Sequence, residues 1–305
     1  MEPETRLLRY FVAVADELHF GRAAQRLFIS QPALSQQIRK LETVLGFDLF
    51  DRDRRHVSLT AGGAAILPAA RAAVDAAAAV TAEGRRLARD ARQTVALGYQ
   101  VQLPGAVLAA VVRGYRERHP ETRVELRQID FSDSSVGLMS GVTDAAVVSL
   151  PIVHQLDTVP LYREGRSVLL PESHPLAGRD TVTLQDLVNS GLRWSHPPDT
   201  DPVWRDFWTA AAERRSLGPR GEVEAEVPPT MDSLLATVAT GNLLALTHAG
   251  LTRAYRHDGV HAVRVTDLSD VSFAAAHRRG EQRPAVRQLI AMLVAHCHRL
   301  RTSTP

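Results

Sequence analysis

Apolar residues at Leu7, Leu8, Phe11, Val14 and Leu18 recur at three- and four-residue intervals, which predicts an amphipathic helix over "TRLLRYFVAVADEL". A short second helix follows, about Gly21 to Leu27. The turn "FIS" then reaches Ser30, a residue type that caps helix amino ends, with Pro32 in the first turn where its missing N–H costs nothing. On the third helix that starts there, Leu34, Ile38, Leu41 and Leu45 form one continuous apolar stripe, and Gly46 supplies the stop. "DRDRRHVSL" reads as a tight basic hairpin.

From Thr60, a plausible N-cap, to about Asp90 the pattern changes to alanine with a sparse seam of Ile66, Leu67, Val74, Val80 and Leu87. This predicts one long helix, kinked near Pro68, too thinly apolar for a globular core. Its small side chains suit close helix-to-helix approach, so a dimerising linker is expected, with a solvated spacer helix as the alternative. Beyond Gln93 strands and helices alternate. "TVALGYQ", "RVELRQI", "DAAVVSL", "SVLLP", "LLALT" and "HAVRV" are strand candidates, separated by helical segments such as Val107 to Arg118 and Val286 to Arg299. That alternation predicts an α/β domain with a largely parallel sheet.

Burying the stripe of the third helix turns Pro32, Ser35, Gln36 and Arg39 outward, with Gln31 at the amino-terminal tip. Glutamine can pair bidentately with adenine in the major groove, serine can donate or accept, and arginine can take guanine or phosphate. Two helices joined by a tight turn form the arrangement whose second helix enters the major groove amino end first. An ordinary solvated helix has the same periodicity, so spacing alone leaves both readings open.

The stretch "FVAVADELHFGRAAQRLFISQPALSQQIRKLETVLGFDLFDRDRRHVSLTAGG" resembles the amino-terminal winged helix-turn-helix of the LysR-type transcriptional regulators, through "AA", "SQPALSQQI", "LE", "LG", "LF" and "LT..G" in order. The rest of the chain is similar to the family's effector-binding domain more loosely, through "RERHPE", "DAAVV", "PLYRE", "LLPESHPLA" and "VATGNLLAL". The resemblance implies a winged helix-turn-helix over 1–59, a linker and dimerisation helix over 60–92, and a two-lobed, periplasmic-binding-protein-like α/β domain over 93–305. Lobe I would comprise 93–162 and 269–305, and lobe II 163–268. It further implies that Gln31, Pro32, Ser35, Gln36 and Arg39 meet double-stranded DNA and that Arg54 lies in the wing. A small-molecule effector would sit between the lobes, where the family's cleft positions fall at Gln102, near Ser132 to Ser134, near Ser195 in "WSH" at 194–196, at Pro229 to Thr230 and at Thr247 to His248. His19 departs from the serine that many members carry before the aromatic residue.

Composition adds limits. Nine Arg or Lys against eight Asp or Glu in residues 1–60 make bulk charge uninformative about DNA. Lys40 is the sole lysine, so any Schiff-base or P-loop chemistry would have to use it. A single cysteine, Cys297, excludes an internal disulfide framework. An acidic amino terminus unlike a signal peptide, and the expected lack of an eighteen-residue apolar run, predict a cytoplasmic protein without membrane partners. "HCH" at 296–298 is a poor metal tract, since residues two apart on a helix do not share a face. "WRDFW" at 204–208 reads as packing rather than an aromatic ligand cage. No cofactor is expected. The reading that follows is a homodimeric or homotetrameric DNA-binding regulator controlled by an effector, and not an enzyme. The alternatives are an effector-independent architectural protein, or a small-molecule binding protein with an incidental DNA-binding head.

Overall fold

A computed structural model describes residues 2–52, 57–101, 105–198, 200–217, 224–255 and 257–302. The chain forms two compact units, Met1–Gly84 and Arg85–Pro305.

The first unit contains α1 (Thr5–Glu17), α2 (Phe20–Arg26), α3 (Gln31–Leu45), the short strands β1 (Phe50–Arg52) and β2 (Val57–Leu59), and most of α4 (Ala61–Asp90). Leu7, Phe11 and Val14 from α1 meet Leu34, Ile38 and Leu41 from α3 in one core, closed by Leu49 and Phe50. The Phe50 ring stands edge-on to Phe11 and Phe20, at centroid separations of 5.6 and 5.8 Å. Leu18 leaves the expected stripe: it ends α1 with φ 45°, and its side chain is exposed.

Each helix end has its own chemistry. His19 replaces the expected hydroxyl cap of α2, its Nδ1 accepting from the amides of Gly21 and Arg22 at 3.0 and 3.2 Å. Ser30 Oγ caps α3 by accepting from Ala33, and Gly46 ends it at φ 82°. Thr60 Oγ1 caps α4 by accepting from Gly63 at 2.9 Å. A Cβ on Gly63 would lie 2.2 Å from the Leu49 carbonyl oxygen, so only glycine lets α4 start this close to the strand pair.

α4 continues through Pro68. Ile66 and Leu67 pack on the core of the first unit, whereas Val80 (74%) and Leu87 (54%) are exposed. One sequence expectation is corrected here. Alanine raises the mean hydropathy of α4 to 1.4 over eighteen residues, so by length and composition alone this helix could cross a membrane.

The second unit has two sheets. The first part of the chain supplies β3 (Thr94–Tyr99), α5 (Gly105–Arg118), β4 (Arg123–Gln128), β5 (Ala145–Leu150) and β6 (Leu156–Glu164). After Gly165 it enters a second sheet with β7 (Arg166–Pro171), β8 (Thr181–Val182), α6 (Leu184–Asn189), β9 (Arg193–His196), α7 (Pro202–Trp208), α8 (Ala211–Arg215), β10 (Glu224–Glu226), α9 (Met231–Ala239), β11 (Leu243–His248), α10 (Ala249–Ala254) and β12 (Val260–Val265). It returns to the first sheet with β13 (Val271–Arg278) and α11 (Pro284–Thr302). Strand orders are β4-β3-β5-β13-β6 and β10-β9-β11-β7-β12-β8.

Both sheets are mixed rather than largely parallel. β3 pairs parallel with β4 and β5, but β13 pairs antiparallel with β5 and β6. In the second sheet β11 pairs parallel with β9 and antiparallel with β7. The antiparallel strands are those on which the chain crosses between lobes, and a crossing strand and its return run in opposite directions. Val107, Val111 and Tyr115 of α5 and Leu289, Leu293 and Cys297 of α11 fill the core of lobe I. Burial pushes the Cys297 thiol up to about 11, which suits a core residue and not a metal ligand. Lobe II buries Val168, Leu170, Trp194, Leu244 and Leu246 on one face, and Leu169, Met231, Leu235 and Ala245 on the other.

Candidate nucleic-acid interface and ligand cleft

The outward face of α3 is chemically uncommitted. Gln31, Pro32, Gln36 and Arg39 are exposed and Ser35 is half-buried, and the side chains of Gln31, Ser35, Gln36 and Arg39 make no hydrogen bond or ion pair among the described residues. Neighbouring cations are already spent. Lys40 pairs with Glu4 at 2.8 Å, Arg22 with Glu17 at 3.1 Å, and Arg26 with Asp16 at 3.2 Å. Asp16 also takes Arg71 of α4. These pairs brace α1 against α2 and the start of α4, while the leucine stripe holds α3 from beneath. At the other end of α3 the buried Glu42 accepts from the Leu49 amide at 3.0 Å, which fixes the β1–β2 hairpin to the helix.

That hairpin pairs Phe50 with Leu59 and Arg52 with Val57. Arg54, expected in the wing, lies outside the described residues. Phe28, which sequence reasoning passed over, occupies the turn between α2 and α3 with φ 54° and is 95% exposed. A large apolar side chain in the left-handed region and in full contact with solvent is a signal that needs the backbone to be seen.

The second unit has a cavity of about 70 Å³ where the carboxyl ends of β9 and β11 face lobe I. Val101, Phe131, Trp204, Val227, Met231 and Leu251 give it apolar walls. Among the described residues, several hydrogen bonds tie the lobes together around it. The Phe131 amide donates to the Pro229 carbonyl at 2.9 Å, Trp204 Nε1 donates to Ser149 Oγ at 3.1 Å, and Ser134 Oγ donates to Asp201. Asp201 in turn caps α7 by accepting from the Trp204 amide at 2.8 Å.

The expected cleft residues divide. Ser195 and Thr247 line the cavity, both buried. Ser132 does not: its amide and hydroxyl both donate to Asp130 in a local turn. Thr230 does not either, because it is the N-cap of α9 and its Oγ1 bonds to Ser233. Gln102 lies outside the described residues. Trp204 and Trp208, expected only to pack, stand on the cavity wall.

His248, expected beside Thr247 among the cleft positions, also lines the cavity. Its Nδ1 donates to Glu164 at 2.6 Å, and its ring stands edge-on to Phe273 with centroids 4.9 Å apart. Glu164 Oε2 also accepts from the Gly250 amide at 2.7 Å. Glu164 ends β6 and His248 ends β11, so the bond joins the strand on which the chain leaves lobe I to the end of a central strand of lobe II. Three lining side chains keep a buried polar atom without a partner: Ser195 Oγ, Trp208 Nε1 and His248 Nε2. Among the described residues no cluster of His, Cys, Asp or Glu is placed to hold a metal ion.

Comparison with known proteins agrees with both halves of this geometry. A family model described as "Bacterial regulatory helix-turn-helix protein, lysR family" matches residues 5–64, and one described as "LysR substrate binding domain" matches residues 88–298. The chain is 30% identical over 294 residues to the Hca operon transcriptional activator HcaR of Escherichia coli (strain K12), which spans 95% of this chain and 97% of that protein. It is 28% identical over 300 residues to the HTH-type transcriptional regulator AlsR of Bacillus subtilis (strain 168), with 98% and 97% covered. The crystal structure of full-length BenM is similar with a TM-score of 0.51 and 25% identity, covering 98% of this chain and 97% of that one. The chain belongs to the lysR family of bacterial regulatory helix-turn-helix proteins, DNA-binding transcriptional regulators that carry a substrate-binding domain.

Proposed function

We propose that α3 reads operator DNA through Gln31, Pro32, Ser35, Gln36 and Arg39, with Arg54 on the adjacent backbone, and that a small molecule in the cleft of the second unit sets the regulator's state. The observation that carries the first part is the row of hydrogen-bonding side chains on α3 that make no internal bond while the cations beside them are paired. Unspent donors and acceptors on a rigid helix can be satisfied by base edges, whereas phosphate contacts position the helix without specifying sequence. For the second part, the support is the buried cavity between two lobes joined by crossing strands. A ligand that binds one lobe arrangement better shifts the population toward it. The exposed seam of α4 suits pairing with a second copy, and a paired head reads a palindromic site. Homodimers, and tetramers built from them, are the assemblies this implies. The activity is regulatory, with no chemical step, and in bacteria like those that carry its relatives it is exerted in the cytoplasm.

Selection of DNA by the full chain from a random-sequence library, followed by footprinting, tests the reading. Enrichment of a two-fold symmetric site is expected. Binding that shows no preference over random DNA would overturn it.

A further inference from the structure

The chemistry of the cleft narrows the ligand class. Among the described residues lining the cavity there is no Asp, Glu, Lys or Arg, so these walls carry no fixed carboxylate or strong base. The carboxylates at its edge are occupied: Glu164 by His248 and the Gly250 amide, Asp201 by Ser134 and the Trp204 amide. What remains is a group of polar atoms with nothing to bond. Trp208 Nε1 can only donate, and Ser195 Oγ can donate or accept. His248 is 3% exposed, held by Glu164 through one ring nitrogen, with the other unpartnered.

Behind this wall lies a second, independent anomaly. Arg166 is completely buried, and among the described residues no carboxylate lies within ion-pair distance of it, Glu213 acting on it only from farther away. Its guanidinium packs 3.7 Å from the Phe207 ring centroid and 6.0 Å from that of Trp208. One N–H group donates to the Phe207 carbonyl at 2.9 Å, but Nε and Nη2 are buried with no acceptor. Its strand partner is His248. A buried cation without a counter-ion is costly in a folded protein, and the cost falls when an anion comes close in a medium of low dielectric constant. The same positive charge disfavours a cationic ligand.

Resting on the effector reading above, we propose that the cleft takes a small monocarboxylate with an apolar body, its carboxylate set against Trp208 Nε1 and Ser195 Oγ on the Arg166 side. One buried cation with no ion-pair partner favours one negative charge close by, and the walls of Val101, Phe131, Met231 and Leu251 call for hydrocarbon. A cavity of about 70 Å³ has room for roughly five to seven non-hydrogen atoms, taking on the order of 10–15 Å³ for each, as for a water molecule.

Calorimetric titration of the full chain with propionate, butyrate, isobutyrate and isovalerate, and with the primary amide of each, tests the proposal. At least one carboxylate should bind, with a Kd at least about tenfold below that of its amide, since hydrogen bonds to a charged acceptor are roughly twice as strong as neutral ones. Ser195→Ala and Trp208→Phe should each raise that Kd about five- to thirtyfold, with circular dichroism reporting that the variants are folded. An amide that binds as well as its carboxylate, or a panel in which no carboxylate binds, overturns the proposal. So does a carboxylate whose affinity neither substitution changes. Footprinting in parallel separates the two levels: operator protection retained while the panel fails removes the ligand class and leaves the regulator standing, whereas loss of protection removes the reading beneath it.

Discussion

The carboxylate of Asp144, fully buried, is held by Arg89 in a two-point fork, Nε to Oδ2 and Nη2 to Oδ1, both at 2.7 Å. Arg89 stands in the last turn of α4 and Asp144 directly precedes β5, so this pair fastens the end of the long helix to the first sheet of the effector domain. Arg283 adds a third arm at 2.7 Å and reaches Asp90 at 2.8 Å, and the Ala96 amide donates at 2.9 Å.

Burial alone would push the Asp144 carboxyl up, but the Arg89 bonds, the Ala96 amide and Arg283 outweigh it and hold the group below the ordinary carboxylate range. Its folded pKa is thus below its unfolded value. The stability it contributes is present above about pH 4 and is lost as the pH falls through the folded pKa. Asp144→Asn should abolish that part of the acid dependence and cost on the order of 3–5 kcal/mol at neutral pH, because Arg89 is left largely buried without its counter-charge while Arg283 keeps only Asp90 and Glu281. Urea unfolding monitored between pH 3 and 7 measures both.

Helix α2 depends on an imidazole where a hydroxyl is more usual. His19→Ala should destabilise the first unit by about 1 kcal/mol, since it removes the acceptor for the Gly21 and Arg22 amides. His19→Asp restores an acceptor and adds a favourable charge at the helix amino end, and should recover most of the loss. Thermal denaturation of the three proteins decides it. A loss that aspartate does not repair would assign His19 some role other than capping.

The first unit was legible because its signals are local. Caps at Ser30 and Thr60, the stop at Gly46 and the stripe of Leu34, Ile38 and Leu41 lie within a few residues of what they control. The crossing strands were not. β6 carries Pro160 and several charged residues, three of the eight residues of β13 are alanine, and both are strands only because distant partners supply their hydrogen bonds. The cleft was half legible for the same reason. Strand ends pointed to Ser195 and Thr247, but the meaning of His248, Trp208 and Arg166 lies in the partners they lack, and that appears only once the chain is packed. Ser132 and Thr230 stand off the cavity wall with their hydroxyls engaged locally, Ser132 with the Asp130 carboxylate and Thr230 with the Ser233 amide, as short polar side chains at turns and helix starts tend to be.

On α3, Gln31→Ala and Ser35→Ala should each weaken binding to the selected operator by about 1–3 kcal/mol and leave binding to random DNA nearly unaltered. Arg54→Ala, in contrast, should weaken both and reduce the slope of log affinity against log salt by about one unit. Electrophoretic titrations at several salt concentrations distinguish the two patterns. Equal losses on operator and random DNA for Gln31→Ala would remove that residue from base recognition.

Self-association should map to the exposed part of α4. Leu67 is unsuitable as a probe because it packs on the first unit's own core, whereas Val80 and Leu87 are exposed. Aspartate at both positions places charge in the proposed helix pair, and sedimentation should show a smaller assembly together with weaker operator binding. An unchanged assembly would put the dimer contact elsewhere.

The closed cleft rests in part on one buried bond, Trp204 Nε1 to Ser149 Oγ at 3.1 Å, with both residues almost without solvent exposure. Removing only the acceptor strands an indole N–H in an apolar cavity wall, which costs about 1–3 kcal/mol, whereas removing both partners costs little in hydrogen bonding. Ser149→Ala should therefore destabilise the effector domain by that amount and open the lobes more often. The opening has a specific reporter, because the Phe131 amide is held by the Pro229 carbonyl of the opposite lobe and should exchange its hydrogen faster in the variant. Trp204→Phe in the Ser149→Ala background should add less than it does alone, the non-additivity expected of residues in direct contact. Full additivity, with Phe131 exchange unaltered, would mean that the bond fills the cavity wall without holding the lobes together.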